Sequence, residues 1–146
     1  MRIFLTNEKP PEVISVIIQK EVADNYLAKP PKATFLSNFI NIYADVKYIE
    51  GIPNYAFFPE PKVQSTIVSI SKHKVLSPEP KKLISFIKMG YANPRKMLLN
   101  NLSNSLNKTK QEMSEIFKVI KIDAKVRPEN LGLDNWQALF NKIYPC

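Results

Sequence analysis

The residues with the most chemical character lie in one run, Phe57-Phe58-Pro59-Glu60-Pro61-Lys62-Val63-Gln64-Ser65. An aromatic pair stands beside two prolines and one cation, directly ahead of the β-type run Thr66-Ile67-Val68-Ser69-Ile70. Proline fixes φ and lacks the N–H that a strand ladder needs, so Pro59 and Pro61 enforce an extended, irregular stretch. A ring held on such a stretch resists collapse into a core. It is placed to stack on a flat ligand such as a nucleobase. The segment Pro59-Glu60-Pro61-Lys62 also has the composition of a polyproline ligand for a partner domain. That reading ranks far lower, because strands flank the segment.

A flat ligand with phosphates would meet a suitable field elsewhere in the chain. The net charge of +8 is uneven: residues 1–72 carry 8 Lys/Arg against 7 Asp/Glu, whereas residues 73–146 carry 13 against 6. Positive charge gathered in one half suits a polyanion, of which RNA and DNA are the common examples. A solvated lysine-rich surface explains the same composition, so charge alone does not decide. Metal chemistry has little support, since the lone His73 has no ligand partners at metal spacing. Cys146 is the only cysteine, which excludes an internal disulfide and fits a reducing, cytoplasmic setting. No apolar run approaches the ~20 residues of a membrane helix, and the N-terminus shows no secretion signal.

The elements that must hold these residues divide near positions 73–80. Val13 to Ile18 is β-branched and nearly all apolar, the signature of a strand buried on both faces in a parallel sheet. Gln19 to Leu27 reads as a short helix closed by Lys29-Pro30-Pro31, and Arg2 to Thr6 as the tail of an earlier helix followed by a turn at Pro10 and Pro11. Apolar residues at 35, 36, 39, 40 and 43 give Phe35 to Tyr43 helical spacing. Asp45 to Ile52 and Thr66 to Ser71 read as two further strands. Beyond the linker at Ser77-Pro78-Glu79-Pro80 the pattern is helical only. Leu83, Phe86, Ile87 and Tyr91 form one stripe. Asn93-Pro94 is expected to open a helix carrying Leu98, Leu99, Leu102 and Leu106. Thr109-Lys110-Gln111-Glu112 matches a capping box, and Trp136, Leu139, Phe140 and Ile143 mark the last helix.

Four motifs stand in order along this frame. Gln19-Lys20-Glu21-Val22-Ala23 follows the first strand, and Phe57 to Ser65 precedes the third. Arg95-Lys96-Met97-Leu98 with Asn100-Asn101-Leu102 lies in the helical part, and Arg127-Pro128-Glu129-Asn130-Leu131 precedes the final helix. Together they resemble the ribosomal RNA adenine N6-dimethyltransferases, in the small-subunit dimethyladenosine transferase branch. The sister branch acting on large-subunit RNA shares the first two motifs, and the helical tail matches the small-subunit branch better.

The resemblance implies an α/β remnant of a class I, Rossmann-like methyltransferase sheet followed by a small all-α C-terminal domain. Three strands are expected, the last antiparallel and central between the other two, with Val13 to Ile18 at an edge. Residues 1–73 would be the C-terminal part of the methyltransferase domain and residues 78–146 the RNA-contacting domain. The first piece is expected to be poorly stable alone. Such enzymes transfer methyl groups from S-adenosylmethionine to N6 of two adjacent adenines near the 3′ end of small-subunit rRNA by direct displacement. The implied partner is therefore small-subunit ribosomal RNA in the small ribosomal subunit, with neither a membrane nor a metal involved.

By the same resemblance Phe57 stacks the target adenine, and Pro59, Pro61 and Lys62 shape the substrate loop. Lys62 would steady a phosphate or the loop, while Phe58 is expected in the core beneath it. Arg95, Lys96 and Arg127 match basic positions facing RNA, and Lys81, Lys82 and Lys88 would widen that patch. The chain departs from the family pattern at Thr34-Phe35-Leu36-Ser37, at Pro94 and at Gly132. A larger departure concerns the cofactor. Only Gly51, Gly90 and Gly132 are present, and none makes the glycine-rich turn that lets backbone approach S-adenosylmethionine. The acidic ribose ligand and the family's Asn-Leu-Pro-Tyr segment are also missing. The expectation is a C-terminal half, inactive alone. The competing class is a non-catalytic RNA-binding protein that assists small-subunit assembly.

Overall fold

A computed structural model describes Leu5, residues 11–73 and residues 77–145. Val13–Gln19 forms strand β1, Lys20–Leu27 helix α1, Phe35–Asn41 helix α2, Ala44–Ile52 strand β2 and Ser65–Lys72 strand β3. Helices α3 (Pro80–Gly90), α4 (Leu98–Leu106), α5 (Lys110–Val119) and α6 (Leu133–Ile143) follow. The expected helix tail at Arg2 to Thr6 and the turn at Pro10 lie outside the described residues, apart from Leu5, which is helical and buried.

The sheet order is β1-β3-β2, with β3 antiparallel to both neighbours. This is the arrangement that the family resemblance implies. It corrects the reading of Val13 to Ile18 from composition alone. That strand is neither parallel nor buried on both faces: among the described residues it pairs only with β3, and Val13 and Ile17 are each 57% exposed. β-branched residues favour any pleated surface, so composition could not separate a central parallel strand from an edge.

On the covered face, Thr66, Val68 and Ile70 of β3 are buried beneath the layer of α1 and α2. Helix α2 starts where expected because Thr34 and Ser37 form a reciprocal capping pair, each 3.0 Å from the other's backbone N–H. The core then runs without interruption from Val68 and Ile70 through Phe39, Ile40 and Ile42 to Leu83, Phe86, Ile87 and Trp136. The Phe86 ring meets Trp136 edge-on at 6.0 Å and Phe140 at 5.8 Å. A Cβ on Gly90 would run into the Trp136 ring, so glycine there is what lets α3 and α6 close together.

Tyr91, just after α3, ties the β/α part to the helices. Its hydroxyl stands 2.9 Å from the Ala33 carbonyl and 3.1 Å from the Pro128 carbonyl, and it accepts from Asn38 Nδ2 at 3.3 Å. The Ala33 N–H adds a bond to the Glu129 carbonyl at 2.9 Å. Burial pushes the Tyr91 phenol up to about 12.

One helix start is corrected. α4 opens at Leu98, not at Pro94. The Lys96 N–H bonds the Asn93 carbonyl to close a turn, and Met97 is extended at φ −58°, ψ 140°. The buried Asn101 amide holds this turn by donating to the carbonyls of Gly90 (2.6 Å) and Asn93 (3.0 Å). The box at Thr109 forms as expected, with the Thr109 N–H 2.7 Å from Glu112 Oε2.

Candidate nucleic-acid interface

Strand register places Gln19, Ile52 and Ser65 at one end of the sheet, where β1 and β2 finish and β3 begins. Carboxyl ends of strands are where open α/β sheets hold their ligands. The Pro53–Gln64 loop projects from this end. It is fixed at its start by a short 3-10 turn over Asn54–Ala56, with the Phe57 N–H bonding the Asn54 carbonyl at 3.1 Å. At its close the Lys20 N–H bonds the Gln64 carbonyl at 2.8 Å. A bulge at Tyr48/Glu50 twists β2 beside it, and Thr66 Oγ1 donates to the Glu50 carbonyl at 2.7 Å.

The loop presents its rings differently from the sequence expectation. Phe58 is not in the core but fully exposed, and Phe57 is the half-buried member of the pair. Phe57 is extended, at φ −116° and ψ 150°. Neighbouring side chains on extended backbone point to opposite sides, so covering one uncovers the other. Tyr55, which sequence reasoning passed over, is 82% exposed on the same loop. Pro59 and Lys62 are exposed and Pro61 is half-buried.

Two clefts flank the loop. One, of about 460 Å³, is lined by Lys20, Tyr48, Asn54, Gln64 and Thr66, among others. Asn54 contributes a buried Oδ1 that has no partner among the described residues. The other, of about 510 Å³, brings Lys62 together with Lys20, Glu21 and Asp24. Lys20 Nζ lies 2.7 Å from Asp24 Oδ2, and that hydrogen bond raises the lysine's affinity for its proton. Tyr48 and Asn54 were not singled out by the sequence, and Lys20 entered only within the Gln19-Lys20-Glu21-Val22-Ala23 motif, with no role of its own. The signal for Tyr48 and Asn54 was position, at a strand end bordering the aromatic loop.

The cations fall into two groups. Arg95 and Lys96 ride the turn before α4, and Arg127 stands on a neighbouring segment because the Leu98 N–H bonds the Val126 carbonyl at 2.8 Å. All three are exposed. Arg127 Nη1 lies 4.0 Å from Glu129 Oε1, whereas Arg95 and Lys96 have no carboxylate within salt-bridge reach among the described residues. Lys81 and Lys82 occupy the first turn of α3, at the opposite end of that helix, and Lys88 its last turn. Lys82 pairs with Glu79. Lys81 and Lys88 border a groove between α2 and α3 whose floor holds Phe35, Phe39 and Tyr43.

Among the described residues there is no group of three or more His, Cys, Asp or Glu side chains able to hold a metal, and no helix is long and apolar enough to cross a membrane. None of the three glycines opens a turn between a strand and the next helix. Gly51 lies within β2 under the Tyr48 hydroxyl, Gly90 under Trp136, and Gly132 caps α6. The β1–α1 junction is Gln19-Lys20, whose side chains occupy the clefts. These residues do not fit the cradle that S-adenosylmethionine requires.

Comparison with known proteins fits this geometry. The profile of the ribosomal RNA adenine dimethylase family matches residues 1–144. The chain is 34% identical over 141 residues to ribosomal RNA small subunit methyltransferase A of Nostoc punctiforme, covering 94% of this chain and 49% of the relative. The protein of the same name from Mesoplasma florum is 35% identical over 131 residues, covering 86% and 49%. The chain thus spans about half the length of the curated relatives it matches. A dimethyladenosine transferase from Plasmodium falciparum shares the fold with a TM-score of 0.75 at 18% identity, over 97% of this chain and 62% of that one. The 23S rRNA methyltransferase ErmE does so with a TM-score of 0.66 at 18% identity, over 95% and 57%.

Proposed function

The chain belongs to the ribosomal RNA adenine dimethylase family, and from that premise we propose that it forms the substrate-facing half of an rRNA (adenine-N6,N6)-dimethyltransferase. The substrate would be two adjacent adenines near the 3′ end of small-subunit rRNA. Residues 1–73 would carry the base-receiving loop and residues 78–146 the RNA-contacting helices. The observation that carries this reading is the aromatic, proline-stiffened loop at the carboxyl ends of β1 and β2. Phe57 is half-buried there, which leaves part of the residue accessible to a base.

Phe57 would stack the extruded adenine, with Pro59 and Pro61 limiting the loop's freedom and Lys62 neutralising a nearby phosphate. Holding the base in one orientation is the contribution this half makes to methyl transfer. In a full enzyme S-adenosylmethionine supplies the methyl group. This chain lacks a fitting cradle for it, so no step is assigned to that donor here, and the chain alone should be inactive. A non-catalytic role in small-subunit assembly is the second reading. The misfit of the three glycines to a donor site favours it over an unaided enzyme.

The test is binding of a single-stranded adenine-containing RNA to the chain and to two variants. Phe57→Ala should weaken binding by about 5- to 150-fold, since a base–aromatic stack is worth about 1–3 kcal/mol. Phe58→Ala should have a smaller effect. A greater loss in the Phe58 variant would contradict the assignment.

A further inference from the structure

The turn that carries Arg95 and Lys96 is held more firmly than an exposed turn requires. It spans Asn93-Pro94-Arg95-Lys96 and is closed by the Lys96 N–H on the Asn93 carbonyl at 3.0 Å. Pro94 stands second in it, where a φ fixed near about −65° suits a turn and removes freedom from the open chain. Beneath the turn lies Asn101, only 3% exposed. Its amide has two hydrogens to give, and both go to carbonyls outside its own helix: Gly90 at 2.6 Å and Asn93 at 3.0 Å.

Gly90 ends α3, so its carbonyl is one that the helix itself leaves without a partner. One buried side chain therefore joins the end of α3, the cationic turn and α4. The Leu98 N–H, the first of α4, meets the Val126 carbonyl at 2.8 Å and sets the Arg127 segment beside the same turn. The Arg127 N–H is fixed in its own place by Asn130 Oδ1 at 3.1 Å. Neither Asn101 nor Pro94 carries charge, and Asn101 is buried beyond the reach of a nucleic acid.

We propose that Asn101, assisted by Pro94, is a positioning residue for RNA: it holds the backbone of Arg95 and Lys96 in the binding geometry before RNA arrives. Long cationic side chains lose freedom when they engage phosphate, and a mobile backbone beneath them would add to that loss. A backbone already ordered in the free chain contributes no such loss. This inference rests on the RNA reading and adds to it a source of affinity that touches no RNA. The role has a signature of its own. A salt slope counts the phosphates neutralised in the complex, whereas preorganisation shifts the affinity alike at every salt concentration.

The test is binding of an RNA carrying the 3′-end region of small-subunit rRNA across a salt series, with hydrogen exchange of the free chain beside it. In the free natural chain the Lys96 amide should be protected and not exchange at the rate of an open turn. Asn101→Leu, folded by circular dichroism, should bind about tenfold more weakly with an unchanged slope, and its Lys96 amide should lose protection. In an Arg95→Ala/Lys96→Ala background the same substitution should cause no further loss. Pro94→Ala, at an exposed position outside the core, should weaken binding about two- to fivefold. Three results would overturn the proposal: a folded Asn101→Leu chain of natural affinity, an equal loss in the background lacking both cations, or a freely exchanging Lys96 amide in the natural chain. Should Asn101→Leu fail to fold, a Pro94→Ala chain of natural affinity overturns it instead. Absence of binding by the natural chain, with its Lys96 amide protected, would overturn the RNA reading itself and this role with it.

Discussion

At the scale of single residues, the Tyr91 hydroxyl is one of the points where the two parts of the chain are joined. It reaches the Ala33 and Pro128 carbonyls and receives Asn38. A neutral–neutral bond of this kind contributes about 1 kcal/mol net, so Tyr91→Phe should cost about 1–2 kcal/mol in denaturant unfolding. The phenol also sets a pH dependence. Its folded pKa is raised to about 12 from the usual 10.0 of a tyrosine, so in that interval the unfolded chain releases the proton first. The stability is complete below pH 10 and is lost as pH climbs towards 12. Partial exposure of the ring reduces the effect to about 1–2 kcal/mol. Alkaline unfolding curves should therefore converge for the natural chain and Tyr91→Phe. Curves that remain parallel through that range would show that the hydroxyl is not held as described.

At the scale of elements, α3 and α6 cross where Gly90 meets Trp136. Gly90→Ala gains helix propensity but forces the indole aside, and overpacking of this kind costs about 1–3 kcal/mol. A thermal unfolding midpoint below that of the natural chain is expected, and an unchanged or higher one would show that the crossing yields freely. What the sequence disclosed follows the same distinction between local and distant causes. The α6 stripe and the Thr109 cap were legible because their signals are local: apolar spacing at 3.6 residues and a box closed within four positions. The start of α4 was not, because Asn101 pulls the Gly90 and Asn93 carbonyls into a turn from eleven and eight residues away. Nor was the choice between Phe57 and Phe58, since alternation on extended backbone fixes that they diverge but not which side is covered. The edge position of β1 was likewise invisible to composition, and came only through resemblance.

At the scale of the whole molecule, a continuous core binds a three-stranded sheet to helices α1–α6, and Arg95, Lys96 and Arg127 sit on exposed turns between helices. The loop proposed to receive a base lies in the β/α part of the chain, and the Arg95, Lys96 and Arg127 turns in the helical part. Affinity from such cations comes through displaced counterions and must fall steeply with salt. We propose that this chain recognises small-subunit rRNA through its exposed cationic turns. The most direct measurement is the salt dependence of binding to an RNA carrying the 3′-end region of small-subunit rRNA, for the natural chain and for Arg95→Ala/Lys96→Ala/Arg127→Ala. We expect log K to fall linearly with log salt, and the triple variant to lose about 2–3 from the slope, roughly one per phosphate contact. Equal slopes for the two proteins, or no binding by the natural chain at low salt, would contradict the account.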